Sequence, residues 1–298
     1  MTLQVHVLPR LRRVPPVTLA YLAALTAVGV VLSLIGERWQ DVVVAATSTN
    51  LHNLSQMHLS VLASSVFVIN EGPVWFTCVG VGLTLAVAEL AWGGRRMLTT
   101  FVLGHLGATT VVAVGLWVGI SSGWLPPIWE RASDVGVSYG VFAVLTGLTF
   151  SLPRGWRIPW AAVWVTLALQ AVLIDRSFTS VGHLTAGLVG LSVAWWAMHR
   201  SAAEPTSKIT GWLPLTLLTG AALFGLCIVG WGSGGWWSAP VMAMVVVLAS
   251  VMRPVQSGLL HLSCDPRPRD ASPTEQAASA VDAVPDPTDR PFLASRRQ

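Results

Sequence analysis

Apolar residues gather along this chain into eight runs, at about 15–35, 73–92, 97–120, 135–152, 158–174, 178–198, 211–231 and 237–252. A segment facing lipid must satisfy its own backbone hydrogen bonds, so runs near 20 apolar residues predict spanning helices. The last run is short for a span. The first exceeds the apolar stretch of a signal peptide, and no small-x-small cleavage site follows it, so it predicts a retained helix. The fold class expected is all-α, a polytopic membrane helix bundle.

The polar intervals differ in character. Glu37–Gly72 is long, and its part Ala45–Ile69 mixes apolar residues with Asn50, His52, Asn53 and His58. That mixture predicts helical pieces lying in or dipping into the outer interface. Ser263–Gln298 is rich in Pro, Asp, Ala and Ser without apolar periodicity, and reads as a disordered tail. The organisation expected is a cytoplasmic N-terminus at 1–14, a membrane core at 15–198, two additional transmembrane helices within 199–252 and a cytoplasmic tail at 253–298.

Composition agrees with the runs. The 298 residues are 53% hydrophobic and 11% charged, with a mean hydropathy of +0.63, where a soluble domain carries about 25% charged residues. With the N-terminus in the cytoplasm, 15 of the 18 basic residues fall on the cytoplasmic side, leaving only Arg38, Arg131 and Arg176 outside. That asymmetry fixes the expected orientation. It predicts a multi-pass protein of the cell (plasma) membrane with both termini inside. The net charge of +4 is therefore a topology signal, and with no basic stripe interleaved with aromatics no nucleic-acid partner is expected. Many of the 15 tryptophans cluster at the run ends, as interfacial belts do. Cys78, Cys227 and Cys264 lack metal-ligand spacing, so neither a metal site nor a cofactor is expected.

Two residues stand out chemically. Ser138 lies four residues into 135–152, in Gly136-Val-Ser138-Tyr-Gly140, and His183 lies five residues into 178–198. At 1.5 Å per residue both fall about 6–8 Å inside their helices. An ionisable side chain at such a position is a functional-site hypothesis, and a serine is its natural partner. The glycines around Ser138 also fit a helix-packing motif, and Gly182, Ala186 and Gly190 form a small-residue stripe beside the histidine. The strand-to-helix elbow of α/β-hydrolases is excluded because no strand pattern precedes Ser138. A Ser/Lys dyad is excluded because the only lysine, Lys208, is cytoplasmic; no His-Glu-x-x-His occurs. Midplane acids and inverted repeats, the marks of ion-coupled transport, are missing. His105, nearer midplane, reads as a hydrogen-bonded packing residue.

With these motifs in order, the chain resembles the rhomboid family of intramembrane serine proteases. Ser138 fills the nucleophile's place in the fourth-helix motif, and Phe142 the aromatic four residues on, against which the histidine packs. Gly182, His183, Ala186 and Gly190 match the sixth-helix motif, and Glu89-Leu-Ala-Trp-Gly93 a glutamate motif between the second and third helices. The resemblance covers about 15–198 and implies a six-helix core. It also implies a Ser138–His183 dyad cleaving transmembrane segments of other membrane proteins near the outer face, with the lipid bilayer as surroundings. Two positions depart from the pattern. Tyr139 stands where the family has glycine, and in Met57-His58-Leu-Ser-Val-Leu62 a leucine stands at the asparagine that would stabilise the oxyanion. His58, His52, Asn53 or Asn50 would then supply that donor beside the Ser138 N–H, with Gly136 shaping the turn. The same departures motivate the alternative, a catalytically inactive rhomboid-like protein binding membrane clients.

Overall fold

The computed structural model describes residues 14–69, 72–200, 209 and 212–230. The run at 237–252, the tail and the N-terminal arginines lie outside the described residues. Ten α-helices are described: α1 (Pro16–Leu34), α2 (Glu37–Thr47), α3 (Leu51–Ser55), α4 (Val61–Ser64), α5 (Val74–Trp92), α6 (Gly94–Ser121), α7 (Ser138–Gly147), α8 (Arg154–Asp175), α9 (Phe178–Arg200) and α10 (Trp212–Gly230). No strand occurs among the described residues. Six of them, α1, α5, α6, α8, α9 and α10, are long and apolar enough to cross a membrane. The chain is a multi-pass membrane protein built as a helical bundle. The interval 37–72 is helical in pieces, as its mixed polarity predicts.

The run at 135–152 departs from expectation. Its helix starts only at Ser138, continues as a 3-10 turn over Leu148–Ser151 and stops before Pro153. Gly136 causes the late start, because its φ of 123° is one that L side chains rarely adopt and that no helix contains. At about 1.5 Å per residue the fourteen residues Ser138–Ser151 rise roughly 21 Å, short of the ~30 Å hydrocarbon core. Every residue from Tyr139 to Gly147 is buried, as a helix apolar on all faces must be. A short helix at the centre of longer ones leaves space above its N-terminus. Ser138 is at the floor of that space.

α9 and α6 hold α7 on either side. A Cβ added to Gly190 of α9 would overlap the Ala143 carbonyl oxygen, so the two backbones cross there in contact. Tyr139, Ala143, Ala108 of α6 and Ala186 of α9 form one buried cluster at the triple contact. The small-residue stripe of α9 therefore faces α7. Gly140, by contrast, meets the Phe101 ring rather than a second backbone. With Gly136 outside the helix, the pair of glycines around Ser138 is not a helix-crossing motif.

At the opposite end of the bundle, Glu89 of α5 ties down α1. Its carboxylate accepts from the Val17 N–H at 3.0 Å, the Thr18 N–H at 2.7 Å and the Thr18 hydroxyl at 2.7 Å. The first N–H groups of a helix have no partner within it, and inside a membrane no water replaces one. Glu89→Ala would strand all three donors. The expected cost is about 2–4 kcal/mol, read as a clear drop in the detergent melting temperature. Glu89→Gln, which keeps an acceptor oxygen, should recover part of it.

Candidate functional site

The space over α7 is a cavity of about 360 Å³ lined by both Ser138 and His183. Ser138 is the first residue of α7, and His183 stands a turn and a half into α9. The two residues that depth alone paired do share one cavity. Phe76 and Thr77 of α5, with Pro73 just before it, close it on another side, and α10 on a third with Phe224, Cys227, Ile228 and Val229.

The histidine is held by aromatic rings. Phe142 lies 5.9 Å from the imidazole, centroid to centroid, and Tyr139 lies 5.2 Å from it at 78°. Tyr139 fits because its neighbour on α9 is Gly182, where a Cβ would overlap the phenol ring. His183 Nε2 is sealed from solvent and makes no hydrogen bond. No hydrogen bond joins Ser138 to His183 in this conformation. His105 takes the part expected of it, with Nε2 3.2 Å from the Ser65 hydroxyl inside the core.

The turn that presents Ser138 is pinned at two points. Gly136 N–H donates to the Ser65 carbonyl at 2.9 Å. Two residues earlier, Asp134 N–H donates to the Ser48 hydroxyl at 2.8 Å, and the Asp134 carbonyl accepts from the N–H and hydroxyl of Thr49, each at 2.8 Å. The interval 37–72 thus acts as the clamp on the nucleophile's loop. Asp134 also receives the Thr49 hydroxyl on its carboxylate at 3.1 Å.

Asp134 carries a pH dependence. Burial pushes its carboxyl up to about 6, against the opposing pull of the Thr49 hydroxyl. An unfolded chain releases this proton near pH 3.9, so between the two values the folded state holds a proton that the unfolded state has lost. Stability is then highest below pH 4, falls as pH rises towards 6 and stays lower above it. The loss is about 3 kcal/mol at most. Melting in detergent at stepped pH should fall through that window for the wild type. Asp134→Asn, uncharged and able to keep the Thr49 bond, should flatten it.

The other sequence candidates sit elsewhere. Asn50 caps α3, its side chain accepting from the Asn53 N–H at 2.8 Å. The Asn53 amide donates to the carbonyls of Ala45 and Ser48, both at 2.9 Å. His52 pairs with Gln56 at 3.2 Å, and His58 is exposed. Asn50, His52, Asn53 and His58 are not among the cavity's lining residues, nor is Leu62. Thr77 of α5 is instead the side-chain hydroxyl that the second spanning helix gives to the cavity. Sequence did hold a signal for it. Thr77 and Cys78 are the only polar residues in the first half of 73–92.

The fold and its cavity define a helical membrane protein in which a serine at the N-terminus of a short, buried central helix shares a cavity with a histidine of α9. Residues 10–203 match the family described as rhomboid-like protein. The chain belongs to the rhomboid family. No curated protein and no solved structure matches it.

Proposed function

We propose that the chain is an intramembrane serine endopeptidase that cuts transmembrane segments of other proteins near the outer face of the plasma membrane. The observation that carries this reading is the shared cavity of Ser138 and His183 at the N-terminus of α7. In the proposed reaction the Ser138 hydroxyl attacks a client carbonyl carbon while His183 takes its proton. The tetrahedral oxyanion forms at the start of α7, where the Ser138 N–H has no intrahelical partner, and Thr77 supplies the side-chain donor. His183 passes the proton to the leaving amine, and water, activated by the same histidine, then hydrolyses the acyl-enzyme. Catalytic hydrogen bonds commonly close only in the substrate complex, so the present Ser138–His183 separation is compatible with a dyad. A dyad suffices because the third member of a triad mainly orients the imidazole, a task the Phe142 and Tyr139 rings can take.

The outer location rests on charge. Arg95, Arg96, Arg154, Arg157 and Arg200 flank helix ends on the side of the bundle away from the cavity. By the rule that basic residues stay inside, that side is cytoplasmic.

One observation favours a second reading, client binding without cleavage. Tyr139 is wedged between Gly182 and the imidazole, and His183 Nε2 is sealed without a partner. A fluorophosphonate probe separates the two. Labelling of the wild type that is lost in Ser138→Ala is the expected result. No labelling, under conditions where an active rhomboid protease labels, would establish the non-catalytic reading instead.

A further inference from the structure

The cavity over α7 is divided in its chemistry. Its α5 and α10 walls are apolar except at Thr77 and Cys227, and the rings of Phe76 and Phe224 meet there edge to face, 5.8 Å apart at 65°. The remaining polar lining is acidic and hydroxylic. Ser133 and Asp134 enter from the loop before α7, and Asp175, Ser177, Thr179 and Ser180 from the junction of α8 and α9.

The reaction set out above makes no use of the two carboxylates. Each is held in place through Oδ2, Asp134 by Thr49 and Asp175 by Ser177 and Ser180. That leaves Oδ1 of each to a ligand. No arginine or lysine lines the cavity, and Arg176, next to Asp175, is exposed. Burial holds the Asp134 carboxyl up at about 6, so at neutral pH the cavity contains an ionised carboxylate with no counter-charge in its lining. A second group in the same cavity also lacks a partner. His183 is 6% exposed and makes no hydrogen bond at Nε2.

A lysine or arginine side chain joins an apolar stem to a cationic head. The phenyl rings of Phe76 and Phe224 suit the stem and attract a cation at their faces, while the carboxylates take the head. Near the outer end of a spanning helix such a residue is costly in lipid, and the cavity relieves that cost. We propose that Asp134 and Asp175 form a recognition site for a basic side chain, carried by the client beside the bond that Ser138 attacks. The inference rests on the client reading above and names the class of client, a helix with lysine or arginine at its outer end.

The test uses full-length Ser138→Ala protein in vesicles of phosphatidylcholine alone. The probes are single-span leucine–alanine peptides with a diazirine, differing at one residue near the outer end, which is Lys, Gln or Glu. Light-driven capture of the Lys peptide should exceed that of the Gln peptide about tenfold, a gain kept modest by the desolvation of both charges. The Glu peptide should fall below the Gln peptide. Asp134→Asn and Asp175→Asn, which can keep their hydroxyl partners, should each lower the Lys-to-Gln ratio about threefold, half of that free energy. The double variant should bring the ratio near one. Moving the lysine one helical turn towards water should erase its advantage, and an advantage that survives the move is general surface attraction and overturns the site. Equal capture of all the peptides overturns it too, whether or not the wild type cuts them. Lys-selective capture with no cleavage by the wild type keeps the site and removes the protease. Should the Asn variants fail to fold, the comparison of Lys with Glu on the Ser138→Ala chain decides.

Discussion

Replacing His183 with alanine is expected to lower turnover of a transmembrane substrate by about 10⁴-fold, the top of the range for a positioned general base. A serine hydroxyl is a weak nucleophile unless a base takes its proton as it attacks. Among the residues lining the cavity, His183 is the only nitrogen base. The carboxylates that also line it, Asp134 and Asp175, are engaged elsewhere. Asp134 is clamped by Thr49, and Asp175 accepts from the hydroxyls of Ser177 at 2.5 Å and Ser180 at 2.7 Å. Both kcat and kcat/KM should fall together, because the proton moves only in the transition state. Combining His183→Ala with Ser138→Ala should do no further damage, since groups that act as one unit are not additive. Reconstituted protein and a fluorogenic single-span substrate supply the measurement. A His183→Ala enzyme that retains wild-type turnover would remove the dyad from the mechanism.

Hydropathy located the helices well because spanning length is set by the bilayer. The runs at 15–35, 73–92, 178–198 and 211–231 became Pro16–Leu34, Val74–Trp92, Phe178–Arg200 and Trp212–Gly230. It was least informative where burial comes from protein rather than lipid. The residues of α7 are as apolar as those of a span, yet a 10-residue helix is enough when its neighbours cover every face. Gly136 marked the start of that helix, though as a turn rather than as half of a packing motif. Depth counting brought Ser138 and His183 to one level, and that level is the cavity. The segment 50–58 was a poorer guide. Its histidines and asparagines resemble a donor set by residue type, but Asn50 and Asn53 are used up folding the segment on itself. The place of α10 was not readable at all, because periodicity reports which face of a helix is apolar and never which neighbour covers it.

Thr77→Val is expected to lower kcat about 10²–10³-fold, the effect of removing one side-chain oxyanion donor, or roughly 2.7–4 kcal/mol of transition-state stabilisation. Valine keeps the branched shape of threonine and deletes only the hydroxyl, so the cavity wall stays filled. The hydroxyl would bond the oxyanion and not the ground-state carbonyl, so KM should stay within about twofold. The contrast comes from the four residues singled out by type in the clamp. Asn50→Ala removes an N-cap, at about 1 kcal/mol of stability, and Asn53→Ala frees two carbonyls, while His52→Ala and His58→Ala touch near-surface side chains. All four should leave kcat within about twofold once folded protein is counted. A 10²-fold loss in any one of them, with Thr77→Val unaffected, would move the donor back to that segment. The loop between α2 and α4 would then have to swing over the cavity during turnover. Cross-linking Thr49→Cys to Asp134→Cys would hold that loop in place, and unimpaired turnover in the cross-linked form would exclude the swing.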